Sequence, residues 1–310
     1  MSVRDATWQS LPEHFKRSVI EKLDLKSRFA LRRCSKDDHR LVSSCSIFLE
    51  TLEIFFPPAK GVILKIQESP DCSSRKRLPL PAVPDVVRFL QLPHLEIREL
   101  IILSSESRFY QITHLTSQLE ALMKKDENFK IRVKHLYWRC TPDDKAEEFI
   151  RCLALFDVQF LEVIHNDMCK FSTEQMEKLG EMEQWKKVKE IHLANGRVAS
   201  VDPFLTMEKC TVLFEKLTGE HIWRMIQSLL SRDVPIGSFF YFQSEHPPKL
   251  VDVFNTYKVP PKHEPVFPDD VGFVGRHTQR FEMTTTTAGK FLAVRNTEDG
   301  VRGDVMVEEG

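Results

Sequence analysis

The residues best equipped for chemistry lie mid-chain: His135, Cys140, Cys152, His165, Asp167, Cys169 and His192. Imidazole, thiolate and carboxylate are the donor set of zinc, and a cysteine beside a histidine is also a nucleophile with its base. Spacing argues against zinc. His165-x-Asp167-x-Cys169 does not wrap a tetrahedral ion, and no second pair stands at the two-residue spacing of structural sites. Nor does anything mark one cysteine above another, since reactivity depends on an electropositive, accessible setting that sequence does not display. His135, His165 and His192 hold comparable places in three strand-like segments, VKHLYW (133–138), FLEVIH (160–165) and VKEIHL (188–193). They read as polar residues aligned on the open face of a sheet. No catalytic residue, metal or cofactor is expected.

Aromatic residues form the second group. Tyr137 and Trp138 are adjacent in one strand, and Phe239, Phe240, Tyr241 and Phe242 follow one another in the strand SFFYF (238–242). Side chains alternate along a strand, so one of the first pair and two of the four must point away from the core. Aromatics on an exposed strand face are common anchors of protein-binding surfaces. Tyr137, Trp138, Phe240 and Phe242 are therefore the target-binding candidates. Phe15, Trp223 and Met176 are assigned to cores by their helical spacing.

The elements that position these residues alternate from about Val83 onward. Pro84 opens a helix, IRELIIL (97–103) is a strand, and Ile112 to Met123 gives a long helix. Thr141-Pro142-Asp143-Asp144 starts another helix, Ser172 with Gln175 caps the next, and Thr218 heads the one bearing Ile222, Trp223 and Ile226. Strand centres Leu136, Val163 and Ile191 are 27 and 28 residues apart, as are Leu213 and Phe240 at 27, with one shorter step of 22 between Ile191 and Leu213. A strand–helix unit of that period lies within the leucine-rich-repeat range. The fold class is α/β: a three-helix head, then an irregular leucine-rich-repeat-like strand–helix stack without an Asn or Cys ladder. No Gly-rich turn follows a strand, which leaves no phosphate cradle.

The head, SLPEHFKRSVIEKLDLKSRFALRRCSKDDHRLV (10–42), reads as three short amphipathic helices. Ser10 and Glu13 stand at capping-box spacing, Ser27 is placed to cap the second helix and Ser35 the third, which extends through Cys45 to Phe48 and Leu49. Phe15, Val19, Ile20 and Leu23 make the first stripe. So few residues expose more apolar surface than they can hide among themselves, so the module completes its core on a partner.

That head resembles an F-box, on Leu11-Pro12-Glu13, Ile20 and Leu23, Leu25, Ser27-Arg28, Leu31, Cys34-Ser35-Lys36 and Leu41-Val42. Asp38 and His39 depart from the aromatic common at that place. The resemblance implies docking on the Skp-type adaptor of an SCF ubiquitin ligase, and through it on a cullin, with the rest of the chain selecting the target. The implied adaptor contacts are Leu11, Pro12, Glu13, Val19, Ile20, Leu23, Leu25, Leu31 and Cys34. Residues 85–297 are similar to the FTH domain, by element order, PHLEIREL, and the late pair RFEMTT and KFLAVRN. The two together resemble the nematode F-box A family and imply a non-enzymatic substrate-recognition subunit. The divisions are F-box 8–50, a Pro-rich linker 51–84, the FTH-like domain 85–297 and a flexible tail 298–310.

Composition agrees with that class. The formal charge is −1, which provides no general field for nucleic acid or anionic lipid. The one basic run, Arg75-Lys76-Arg77, reads as a loop, and Arg302-Gly303-Asp304 as chance. No apolar run approaches membrane-spanning length, and Met1 to Trp8 has no signal-peptide core. Seven dispersed cysteines suit reduced, buried thiols and a cytoplasmic or nuclear setting.

Overall fold

The computed structural model describes residues 7–58, 61–70, 76–80, 83–105, 109–140, 146–260, 278–283 and 289–307. They fall into two units, Met1–Lys134 and His135–Gly310.

The first unit starts with the head: α1 (Glu13–Lys22), α2 (Leu25–Leu31) and α3 (Lys36–Ser43). Asp24, not Ser27, caps α2, accepting from the Ser27 N–H, and Ser35 caps α3 by accepting from that of Asp38. Ser10 lies in a short 3-10 turn and Pro12 occupies the N-cap of α1, so no capping box forms there. Ile20, Leu41, Val42 and Cys45 make a small core, flanked by Trp8 and Leu31. The Trp8 indole N–H donates to Asp38 Oδ1 at 2.7 Å, which explains a carboxylate where an aromatic was expected: the ring arrives from the N-terminus and Asp38 anchors it. That bond, with the Ser35 hydroxyl, holds the Asp38 carboxyl below its ordinary pKa.

Ser44 ends α3, and Phe48 and Leu49 belong to a strand rather than to a longer helix. This strand, β1 (Ile47–Phe56), runs parallel to β4 (Leu95–Ser104) and antiparallel to β2 (Val62–Gln67), which pairs antiparallel with β3 (Lys76–Leu80). The helices α4 (Val83–Leu90) and α5 (Phe109–Lys125) complete the unit. The described residues of 51–84 are thus mostly strand, not a linker. Their prolines suggested a hinge, yet Pro79 sits in β3, at the sheet's edge, where a missing N–H is tolerated. The head is tied to these strands: the Leu25 N–H donates to Glu68 Oε2 at 2.8 Å. Buried Arg28 donates to the carbonyls of Glu21, Leu23 and Ser46, joining α1, α2 and the entry to β1.

In the second unit β5 (Arg132–Cys140, from His135 onward), β6 (Val163–Asn166), β7 (Glu190–Val198), β8 (Lys209–Phe214) and β9 (Phe239–Gln243) are parallel neighbours in chain order. Beyond β9 lie β12 (Gly300–Val307), β11 (Lys290–Thr297) and β10 (Thr278–Glu282), all antiparallel. Residues 298–307 are therefore paired strand and its approach, not a tail, because Val301 and Val305 fill the same face as Phe240 and Phe242. The helices are α6 (Ala146–Leu153), α7 (Thr173–Glu181), α8 (Glu183–Lys187), α9 (Gly219–Leu230) and α10 (Leu250–Thr256). Capping boxes start α7 at Ser172/Gln175 and α9 at Thr218/His221. The helix start at Thr141 lies outside the described residues. A 3-10 turn, Asp202–Phe204, replaces the helix in the shortest repeat.

β9 alternates, burying Ser238, Phe240 and Phe242, whereas along β6, β7, β8 and the residues leading into them two consecutive outward residues separate the first buried position from the next two. The buried sets are Leu161, Ile164 and Asn166; Val188, Ile191 and Leu193; and Met207, Cys210 and Val212. Leu136, Ile164, Ile191, Cys210 and Phe240 are register partners, one row of the core beneath the helices.

Candidate interaction sites

On the head, α1 separates the implied adaptor contacts into two sets. Ile20 is 0% exposed, in the core of the head, and Leu25 is buried, so neither is presented at the surface of this chain. Pro12, Glu13 and Cys34 are exposed, and Leu11, Val19, Leu23 and Leu31 are half-buried. Glu13 is engaged by Arg17 at 2.8 Å, as expected four residues apart. Phe15, assigned to the core by spacing, is 50% exposed and joins Leu11, Pro12 and Val19 in an apolar ridge. Its helical spacing gave the side of the helix but not which side the small core occupies, so sequence reasoning missed it.

The second site is the open face of the strand stack. Alternation sends Trp138 inward, 0% exposed and edge-on to Phe149 at 5.6 Å, and Tyr137 outward. Phe240 and Phe242 are likewise fully buried, against each other at 5.0 Å and against Phe214, whereas Phe239 and Tyr241 face out. Of the four target-binding candidates only Tyr137 is on the surface. In β5 the two outward residues Lys134 and His135 precede the core position Leu136 and so send Trp138 inward, whereas β9 alternates strictly with Phe240 and Phe242 inward.

Tyr137, His165, His192, Thr211 and Tyr241 are successive register partners, a row across five strands. Tyr137 stacks on His165 with centroids 4.5 Å apart and planes 10° from parallel, and His165 meets His192 at 5.5 Å. Beside the row, Arg139 donates to Asp167 at 3.2 Å, His192 lies 3.8 Å from the same carboxylate, and Lys209 pairs with Glu190 at 3.4 Å. Further along, Tyr241 and Gln243 donate to Asp299, and Arg302 both bonds Asp304 at 2.8 Å and lies over the Phe239 ring. The thiols of Cys140, Cys152, Cys169 and Cys210 are buried, so the sheet separates Cys140 and Cys169 from His135 and His165 on its open side. Among the described residues no three His, Cys, Asp or Glu side chains are placed to hold a metal. Burial pushes the Cys210 thiol far above its ordinary pKa, the reverse of an activated nucleophile. Cys34, by contrast, is exposed, and Cys72 lies outside the described residues. Among the described residues no helix is long and apolar enough to cross a membrane.

Burial, and then the neighbouring His192, lowers the His165 pKa, and burial lowers that of His221. The unfolded chain keeps the ordinary histidine value of about 6.5 and takes up protons that the folded state refuses, so stability falls as pH drops through that value. The melting temperature is expected to fall between about pH 7.5 and 5.5, and to fall less in His165→Gln/His221→Gln. An equal fall in that variant would show that neither histidine carries the effect.

An exposed apolar ridge on a small helical head, and a ring-lined strand face on a helix-backed stack, define a protein-interaction chain. Comparison with family models gives the two parts their identities. Residues 8–50 match the F-box domain and residues 113–257 match the FTH domain, so the chain carries an N-terminal F-box and a C-terminal FTH domain, the layout the sequence resembled. F-boxes are in general the docking modules of substrate-recognition subunits in SCF-type ubiquitin ligases, and both domains are typically non-catalytic. No curated protein matches the chain.

Proposed function

We propose that this protein is the substrate-recognition subunit of a cullin-based SCF-type ubiquitin ligase, joining a target protein to the Skp-type adaptor. The observation that carries the reading is the F-box match over a head whose ridge, Leu11, Pro12, Phe15 and Val19, is turned out while its core holds four residues. Such a ridge is left partly open among the described residues and would gain a partner on the adaptor. The FTH stack is then the target receptor, a leucine-rich-repeat-like surface on which the row around Tyr137, His165 and His192 makes the contact. Mechanistically the chain acts by proximity, raising the concentration of target lysines near the charged conjugating enzyme. On this reading the chain is a member of the nematode F-box A family, which its two domains resemble, and a cytoplasmic or nuclear location suits the role.

Two variants separate the halves. Leu11→Ala/Phe15→Ala is expected to remove about 2–4 kcal/mol of adaptor binding through lost burial, leaving the melting temperature near that of the wild type. Tyr137→Glu should keep adaptor binding and lose the target in co-precipitation. Undiminished adaptor binding in the first variant rules out the ridge, and undiminished capture in the second rules out the strand face.

A further inference from the structure

The helical layer of the second unit has a gap. α6 follows β5, α7 and α8 follow β6, and α9 follows β8, but the chain between β7 and β8 holds only the 3-10 turn Asp202–Phe204. A groove of about 320 Å³ lies there, between α7 and the turn. Met176, Gly180 and Pro203 give it an apolar floor, and Glu177, Glu181 and Asp202 charge its rim. Among the described residues no lysine or arginine lines it. Asp202 is committed to the fold, because Arg224 of α9 bonds it and the Ser200 hydroxyl donates to it at 2.8 Å. Glu177 and Glu181 are exposed, and among the described residues neither has a hydrogen bond or an ion pair. Lys178, beside Glu177 in sequence, instead lies 3.8 Å from both Glu147 and Glu174.

Folding alone accounts for neither the free carboxylates nor the glycine. Glu177 and Glu181 stand four apart on α7, where like charges on one face repel. Glu181 also precedes α8, whose start favours an anion, but Glu177 lies a turn earlier and gains nothing from it. Gly180 is disfavoured in a helix relative to alanine, and its φ is not in the positive range that calls for glycine. A Cβ there would sit 3.7 Å from Pro203, an ordinary contact. Neither backbone nor packing therefore requires the glycine, and what it leaves is room for another chain to approach closely. We infer that the groove is a docking site for a short basic segment of a partner protein. A lysine or arginine lies between Glu177 and Glu181, and its aliphatic stem and adjoining backbone lie over Gly180 against Met176 and Pro203. The volume is at the low end of ligand pockets, roughly 300–1,000 Å³, so it takes one or two side chains and not a whole helix. A nucleic acid would be repelled by the same carboxylates. The site is on the helical side of the stack, apart from the strand face assigned to the target above, and does not depend on that assignment.

The test titrates the full-length chain with a short fluorescent peptide of alanine, leucine and lysine, and with the same peptide carrying glutamate in place of lysine. Glu177→Gln/Glu181→Gln removes the charge, and Gly180→Leu fills the groove with the charge intact. Asp252→Asn/Glu298→Gln removes two exposed acids that do not line it. Circular dichroism checks each fold, and should Gly180→Leu not fold, the glutamine pair decides. The wild type should bind the lysine peptide and not the glutamate one, and binding should weaken severalfold between roughly 50 and 300 mM salt. Both groove variants should bind about tenfold more weakly, and the control pair within about twofold of the wild type. A wild type that does not bind the lysine peptide, or groove variants that bind it as the wild type does, overturn the proposal. Equal weakening in the control pair shows a general charge effect and overturns it as well. Spermidine that binds the groove as tightly as the peptide overturns the choice of a protein segment.

Discussion

Alanine at position 303 should be among the most damaging single substitutions in the second unit. Gly303 in β12 stands opposite Phe240, and a Cβ there would fall 2.1 Å from the Phe240 ring. The ring cannot swing aside, because Phe240 is fully buried and packed on Phe242, which in turn meets Phe214. Either the ring leaves its rotamer or β12 separates from β9, and overpacking of this kind costs about 3 kcal/mol or more. Gly303→Ala is therefore expected to lower the unfolding midpoint of the second unit, and Phe240→Leu added to it should recover part of the loss by removing the ring edge. A Gly303→Ala protein with wild-type stability would show that the β9–β12 pairing is wrong. The same contact explains the Arg302-Gly303-Asp304 tripeptide: its glycine accommodates an aromatic, and its arginine and aspartate bond each other.

Arg28 carries the corresponding effect in the first unit. Arg28 is 6% exposed, and its guanidinium serves three backbone carbonyls, two at the end of α1 and one at the entry to β1. Removing it leaves those acceptors without their donor, and hydrogen bonds from charged donors contribute about 1.5–3 kcal/mol each, partly offset by relief of the buried charge. Arg28→Ala is expected to destabilise the first unit by about 3 kcal/mol. Arg28→Lys should not restore it, since an ammonium lacks the planar fork that reaches several acceptors. Denaturant unfolding of the full chain checks both, and a loss below about 1 kcal/mol would show the junction between head and strands to be slack.

The head's identity and the alternation of strand and helix were legible in the sequence because capping residues and apolar periods are local signals. Ser35, Ser172 and Thr218 each cap the helix they were expected to cap. Orientation was less legible. Trp138 and Phe240 stand among the expected surface anchors, yet Lys134 and His135 both face outward ahead of Leu136 and so send Trp138 inward, while alternation in β9 by itself leaves open which two of its four aromatics face the core. Prolines suggest a linker where Pro79 marks a strand at a sheet edge, and the acidic end of the chain suggests a tail where Gly303 makes room for a ring. Phe15 shows the remaining gap. Its helical period identifies a stripe, but which part of the stripe stays exposed depends on where Leu41, Val42 and Cys45 arrive from later in the chain.

The most direct measurement is reconstitution of the full-length chain with a purified Skp-type adaptor, followed by size-exclusion chromatography with light scattering. The account predicts a one-to-one complex that joins a cullin when one is added and that is lost in Leu11→Ala/Phe15→Ala although this variant melts like the wild type. A wild-type chain that elutes apart from the adaptor at micromolar concentration, folded by circular dichroism, would contradict it.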